Sequence, residues 1–167
     1  MRITFTKDGL LQVDDARIIY RNFAGEPSQY NREGDRNFSV VIDDEEIAEA
    51  LQNDLNRYGV GWNVKIKAPR EDGDIPFMHL PVKVKFNGNS RDPKIYVESG
   101  GRRKLLNEDT VAMLDNMDIR SVELDIRPYD NEVHGRPYRS AYLQNMYVVQ
   151  EIDRFAARFA EEEYPEE

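Results

Sequence analysis

Residues 120–150 read RSVELDIRPYDNEVHGRPYRSAYLQNMYVVQ, and this stretch decides the fold. In its first arm Val122, Leu124 and Ile126 alternate with Glu123, Asp125 and Arg127, the period of a strand with one buried face. Its second arm, Tyr138 to Gln150, is rich in aromatic and β-branched residues. Asp130, Asn131 and Gly135 supply turn chemistry between the arms, so the spacing predicts a long hairpin with strands over 120–128 and 138–150.

Working back from the hairpin, strand signals recur. Ala16–Phe23 and Arg36–Ile42 are β-rich and flank a long polar loop, AGEPSQYNREGD. Asp43, Asp44, Glu45 and Glu46 suit a first helical turn, and Ile47, Leu51, Leu55 and Tyr58 follow at helical spacing up to Gly59-Val60-Gly61. Trp62–Lys67 and Phe77–Phe86 are further strands, with Pro81 marking an edge or bulge in the second. In them Val64 and Ile66 oppose Lys65 and Lys67, while Val82, Val84 and Phe86 oppose Lys83 and Lys85. Lys94–Glu98 reads as a strand, Ser99-Gly100-Gly101 as a turn, and Asn107 as the cap of a short helix bearing Val111, Leu114 and Met117. Short strands without βαβ alternation favour a mainly β chain: a five-stranded antiparallel barrel of the OB type with inserted helices. Residues 1–150 form this domain, and 151–167 an amphipathic helix, on Ile152, Phe155 and Phe159, with an acidic tail.

The chain has 167 residues, a formal charge of −9 and no cysteine, which excludes a disulfide scaffold and thiolate metal sites. No apolar run approaches a membrane span, and a cytoplasmic protein is expected. The negative balance argues against a polyanionic partner until its position is considered. Residues 151–167 hold seven acids and two bases, a net of −5, so more than half the excess lies at one end. Net charge therefore leaves room for a basic face on the body.

Catalytic chemistry finds little support. His79 lies in a strand and His134 in a turn, neither beside a nucleophile motif, and two distant histidines are too few for zinc. Asp43–Glu46 fan around a helix end. Glu123 and Asp125 share a strand face and are the best candidates for a magnesium-dependent phosphodiesterase, although with Arg127 they suit a charge-paired surface better. No cofactor motif occurs.

What remains is an interleaving of cations and rings, the chemistry that single-stranded nucleic acid requires: cations follow the phosphates and flat rings stack on bases. The stacking candidates are Tyr30, Trp62, Tyr96, Tyr129 and Tyr138; Trp62 suits a core equally well. The phosphate candidates are Lys65, Lys67, Lys83, Lys85, Arg102, Arg103 and Arg136.

The segment VELDIRPYDNEVHGRPYRSAYLQNMYVVQE resembles bacteriophage single-stranded DNA-binding proteins built on an OB-fold, and the likeness extends over residues 16–167. It implies a non-catalytic protein that coats single-stranded DNA in phage replication and recombination, often as a homodimer. It also implies an acidic tail that recruits replication or recombination proteins and competes with DNA for the basic groove. This tail departs from the pattern by ending in two glutamates with Tyr164 set back. The rival expectation is an acidic phage-encoded inhibitor that mimics DNA and has no affinity for it.

Overall fold

The computed structural model describes residues 1–74, 76–152 and 155. In chain order the elements are β1 (Arg2–Phe5), β2 (Leu11–Asp14), β3 (Ile18–Asn22), β4 (Arg36–Ile42), α1 (Glu45–Asn53), β5 (Lys65–Lys67), β6 (Phe77–Val84), β7 (Lys94–Ser99), β8 (Arg102–Leu106), a 3₁₀ helix (Val111–Asn116), β9 (Ile119–Val133) and β10 (Arg136–Gln150). All ten strands of the described residues join one sheet, along the path β1-β2-β9-β10-β6-β4-β3, with β5 on β6 and the β7–β8 hairpin on β10.

The chain is mainly β, as its alternation predicts, but the strands are neither five nor all antiparallel. They are more numerous because long extended runs break at local irregularities. Asp15, at φ 53°, separates β2 from β3, and the 87–92 loop separates β6 from β7. The pairings of β10 with β6 and with β7 are parallel. As a hydrogen-bonded ladder the sheet is open, with β1 and β3 at the ends of its path.

The closing hairpin is longer than the sequence suggests. Asp130 and Asn131 lie inside β9, and the reversal is made by His134 and Gly135 alone, both with positive φ (53° and 77°), as a two-residue hairpin turn requires. Alternation holds across the sheet. Val122, Leu124 and Ile126 point into the core with Leu11, Val13, Phe38, Val40, Leu80, Val82 and Val84. Pro81 sits in the middle of β6, yet its missing N–H is tolerated. It falls between His79, where β5 pairs, and Lys83, where β10 meets the same edge.

Two other expectations need correction. The helix stops at Asn53, so Leu55 and Tyr58 lie beyond it and are exposed, while Ala48 and Leu51 carry its buried stripe. Asp44 caps it by accepting from the Glu46 amide. In β5, Ile66 is exposed along with the lysines, because this short edge strand covers no core of its own. The helix placed after Asn107 is a 3₁₀ turn whose Val111 and Leu114, with Met117 just past it, are buried as expected. The tail from Asp153 onward, Phe155 apart, lies outside the described residues.

Candidate nucleic-acid interface

Facing residues on neighbouring strands share a face, so the register defines one continuous outer surface over β5, β6, β4, β10 and β9. On β6 this surface carries Phe77, His79, Pro81 and Lys83, the positions that alternate with the buried Met78, Leu80, Val82 and Val84. Lys65 and Lys67 join it opposite His79 and Phe77. Tyr142 joins it opposite Lys83 on one side and Arg127 on the other.

Tyr142 is the centre of the arrangement. Lys83 Nζ lies 5.9 Å, Lys85 Nζ 5.7 Å and the Arg127 guanidinium carbon 5.7 Å from its ring centroid. Tyr129 meets the same ring edge-on at 5.6 Å. Lys85, Arg127, Tyr129 and Tyr142, with the 87–91 loop, line an open depression of about 330 Å³. Three cations around one ring attract an anion beside a stacking platform. Asp92 organises the loop by accepting from the Asn87 and Gly88 amides at 2.6 and 3.0 Å; the Asn87 bond is the main reason its carboxyl is held below the usual range.

A second aromatic group lies at the other end of β6. Tyr20, Phe77 and His79 pack ring against ring, with Tyr20 edge-on to Phe77 at 6.5 Å and to His79 at 5.5 Å. Tyr20 has φ 52° where the β3–β4 register shifts, and it is 65% exposed. A bulge that turns a ring outward beside lysines is the kind of local strain found at binding surfaces. His79 Nδ1 is 2.9 Å from the Ser39 hydroxyl. Burial and then the nearby Lys65 charge hold its pKa below the ordinary value.

The structure brings most of the sequence candidates to this surface. Lys65, Lys67, Lys83 and Lys85 belong to it as above. Tyr129, Arg136 and Tyr138 extend it along the hairpin arm, since they share register parity with Tyr142 and Arg127. Tyr30 is 90% exposed in the loop before β4 and lines a cavity with Lys83 and Lys85. Tyr96 and Arg103 form a separate group on the β7–β8 hairpin: the Arg103 guanidinium lies 5.4 Å from the Tyr96 ring, beside Tyr147. Arg102 is exposed on the same hairpin.

Trp62 does not belong to the surface. It is 3% exposed, its Nε1 donates to Asp54 at 2.8 Å, and Arg139 covers its ring at 5.1 Å. Gly61 enforces this packing: a Cβ there would fall 2.1 Å from the Gln52 carbonyl oxygen. Arg139, itself buried, also holds Asp130 at 2.8 Å, so this network ties the segment after α1 to the hairpin. Burial alone would raise the Asp130 pKa, but the hydrogen bonds from Arg139 and Asn56 outweigh it and the net shift is downward. Arg21 and Phe23 are structural too: Arg21 Nη1 donates to the carbonyls of Leu114 and Met117, and Phe23 stacks on Phe38 in the core.

Sequence reasoning did not select Tyr20, Phe77 or His79 as contacts; Arg127 and Tyr142 stand among the cations and rings clustered at the last hairpin but not among the stacking and phosphate candidates. The parity of Phe77 and His79 with Lys83 and Lys85 was a usable signal. The outward turn of Tyr20 had none.

The acids proposed for hydrolysis lie on a different stretch of the sheet. Glu123 hydrogen-bonds with Asp14, and its pKa is raised by burial first and by Asp14 second; Asp125 accepts from Asn145 at 3.0 Å. Among the described residues no group of three or more His, Cys, Asp or Glu side chains is placed to hold a metal. Nor is any helix among them long and apolar enough to cross a membrane.

Comparison with solved structures supports the architecture. The single-stranded DNA-binding protein from bacteriophage Enc34, in a C-terminally truncated form, superposes with a TM-score of 0.56 at 13% identity, over 89% of this chain and 90% of that one. The same phage protein in complex with ssDNA gives 0.53 at 15% identity, over 92% and 93%. Its form without that truncation gives 0.52 at 15%, over 92% and 87%. No curated protein sequence matches the chain. The family model described as "Putative phage ssDNA-binding domain" matches residues 3–167, and the chain therefore belongs to the phage ssDNA-binding domain family.

Proposed function

We propose that this protein coats single-stranded DNA without strong sequence preference, and that the surface over β5, β6, β10 and β9 is where the strand lies. The observation that carries the reading is the enclosure of Tyr142 by Lys83, Lys85 and Arg127, continuous along β6 with the Tyr20–Phe77–His79 rings. Phosphates pair with the cations while bases stack on Tyr20, Phe77, Tyr129, Tyr138 and Tyr142, with Tyr30 approaching from its loop. Binding is non-catalytic. Membership of the family and the likeness to a phage protein whose complex with ssDNA has been solved support the ligand.

The architecture in this reading is an OB-like barrel of five long strands, some of them broken. Taking β2 and β3 as one bent strand, the pairings β3–β4, β4–β6, β6–β10, β10–β9 and β9–β2 run in a circuit, which supports it. A role in phage replication or recombination, in the host cytoplasm, follows from the ligand and the family. The acidic residues 151–167 are read as a tail that contacts other replication or recombination proteins, and homodimer formation belongs to the same proposal.

Fluorescence anisotropy of labelled single-stranded and duplex oligonucleotides, at low and moderate salt, tests the reading. The expected result is tight binding selective for the single strand that weakens as salt rises. Absence of binding at low salt contradicts it and favours the DNA-mimic inhibitor.

A further inference from the structure

One cation outside the Tyr142 group is held in an unfinished way. Arg36 opens β4, with its side chain only 18% exposed. Its Nη1 reaches Glu108 Oε1 at 3.6 Å, longer than a good charge-assisted hydrogen bond. Its guanidinium carbon lies 5.7 Å from the Phe86 ring, and its buried Nε has no hydrogen-bond partner. A buried charged donor without an acceptor is costly, so an acceptor is the missing part of this arrangement.

The surroundings indicate which acceptor. Arg36 lines a cavity of about 630 Å³, together with Tyr30, Asn37, Lys83, Lys85 and Glu108. Register sets Arg36 opposite Val84, on the other face of β4 and β6 from Lys83 and Lys85, but the cavity is lined by residues of both faces and so adjoins the proposed strand path. Its loop wall is fixed in place: the Gly34 amide donates to the Gly25 carbonyl at 2.8 Å, and Asn37 Nδ2 donates to Asn31 Oδ1 at 2.9 Å. Glu108 comes from a turn held by Asn107, whose Oδ1 accepts from the Asp109 and Thr110 amides. Its side chain is 57% exposed and able to swing away. A guanidinium presents Nε and an Nη as a fork that fits two phosphate oxygens, which the single long contact to Glu108 does not satisfy.

We infer that Arg36 takes a backbone phosphate of bound single-stranded DNA in this cavity, and that Glu108 is a resting counter-ion which the phosphate displaces. The inference rests on the function proposed above. It gives the protein a built-in competitor for its own ligand: the carboxylate satisfies part of Arg36 when DNA is absent and opposes the strand when it arrives.

The test measures single-strand affinity and its salt dependence for wild type, Glu108→Gln, Arg36→Gln and the double variant, with Asp109→Asn from the same turn as control and thermal melting as a check on folding. Glu108→Gln should tighten binding about two- to fivefold at low salt, more than Asp109→Asn does. Arg36→Gln should weaken binding about tenfold and reduce the salt slope by about 0.7. In the Arg36→Gln background the gain from Glu108→Gln should vanish. Equal effects of Glu108→Gln and Asp109→Asn, or a gain that persists without Arg36, overturn the inference while leaving the function intact. An Arg36 effect confined to one base type also overturns it, by assigning base recognition in place of phosphate. If Arg36→Gln melts early, the exposed Glu108→Gln and Asp109→Asn pair still decides. Wild type that ignores single strands at low salt overturns the function itself.

Discussion

Lys83 Nζ stands 5.9 Å from the centre of the Tyr142 ring because β6 and β10 meet in parallel at that one pair of residues. Strands remote in sequence are thereby joined at the point where cations and rings are densest. Lys85 and Arg127 complete the surround from the end of β6 and from β9. A double substitution, Lys83→Glu with Lys85→Glu, reverses the charge at this point without touching the core, since Val82, Val84 and Phe86 alternate with the lysines. Single-strand binding should be lost in an anisotropy titration, with the melting temperature nearly unchanged. Intact binding would remove this strand from the interface.

Tyr142 separates stacking from phosphate attraction. Tyr142→Ala should weaken single-strand binding by about 1–3 kcal/mol, whereas Tyr142→Phe, which keeps the ring, should bind almost as wild type does. Equal losses in the two variants would mean that the hydroxyl, and not the ring face, is what DNA uses.

The Trp62–Arg139–Asp130 network should behave in the opposite way. Asp130→Asn leaves the nearly buried Arg139 short of a counter-charge and should cost about 2–4 kcal/mol of stability by chemical denaturation, with little change in DNA affinity of the folded protein. The Asp130 pKa is depressed in the folded state, so its contribution is present above the ordinary carboxylate value and is lost as pH falls through the folded one. The difference between wild type and Asp130→Asn should therefore shrink in acid.

In the Asp14–Glu123 pair Glu123 has the reverse sign, while Asp14 is held low by the Glu123 hydrogen bond first and by Arg2 second. The Glu123 pKa is raised, so its share of stability is complete below pH ~4.5 and lost as pH rises through the folded value. Glu123→Gln should raise the melting temperature slightly at pH 7 and not at pH 4. A lower melting temperature for Glu123→Gln at pH 7 would show that the carboxylate there is stabilising.

Much of this was legible in the sequence, because a buried face imposes a period of two. Arg36–Ile42 is a strand with the predicted bounds, and the lysines of VKVKF point out as their parity requires. The same rule, applied from Lys85 back through Pro81, reaches Phe77 and His79. What was not legible depends on pairing between distant segments. Nothing local states that Tyr142 faces Lys83, or that a bulge turns Tyr20 outward while Trp62 packs inside against Arg139. Leu55 and Tyr58 continue the helical spacing beyond Asn53, but the backbone leaves the helix at Asp54. There the Asp54 carboxylate serves as the acceptor for the Trp62 indole.

The central claim, that the strand lies along β6 and over Tyr142, is tested most directly by photo-crosslinking an oligonucleotide bearing 4-thiothymidine and locating the adducts by mass spectrometry. The account predicts adducts on Tyr142 and Tyr129 and on Tyr20 or Phe77. Adducts confined to the Tyr96–Tyr147 group on the β7–β8 side of the sheet would contradict it.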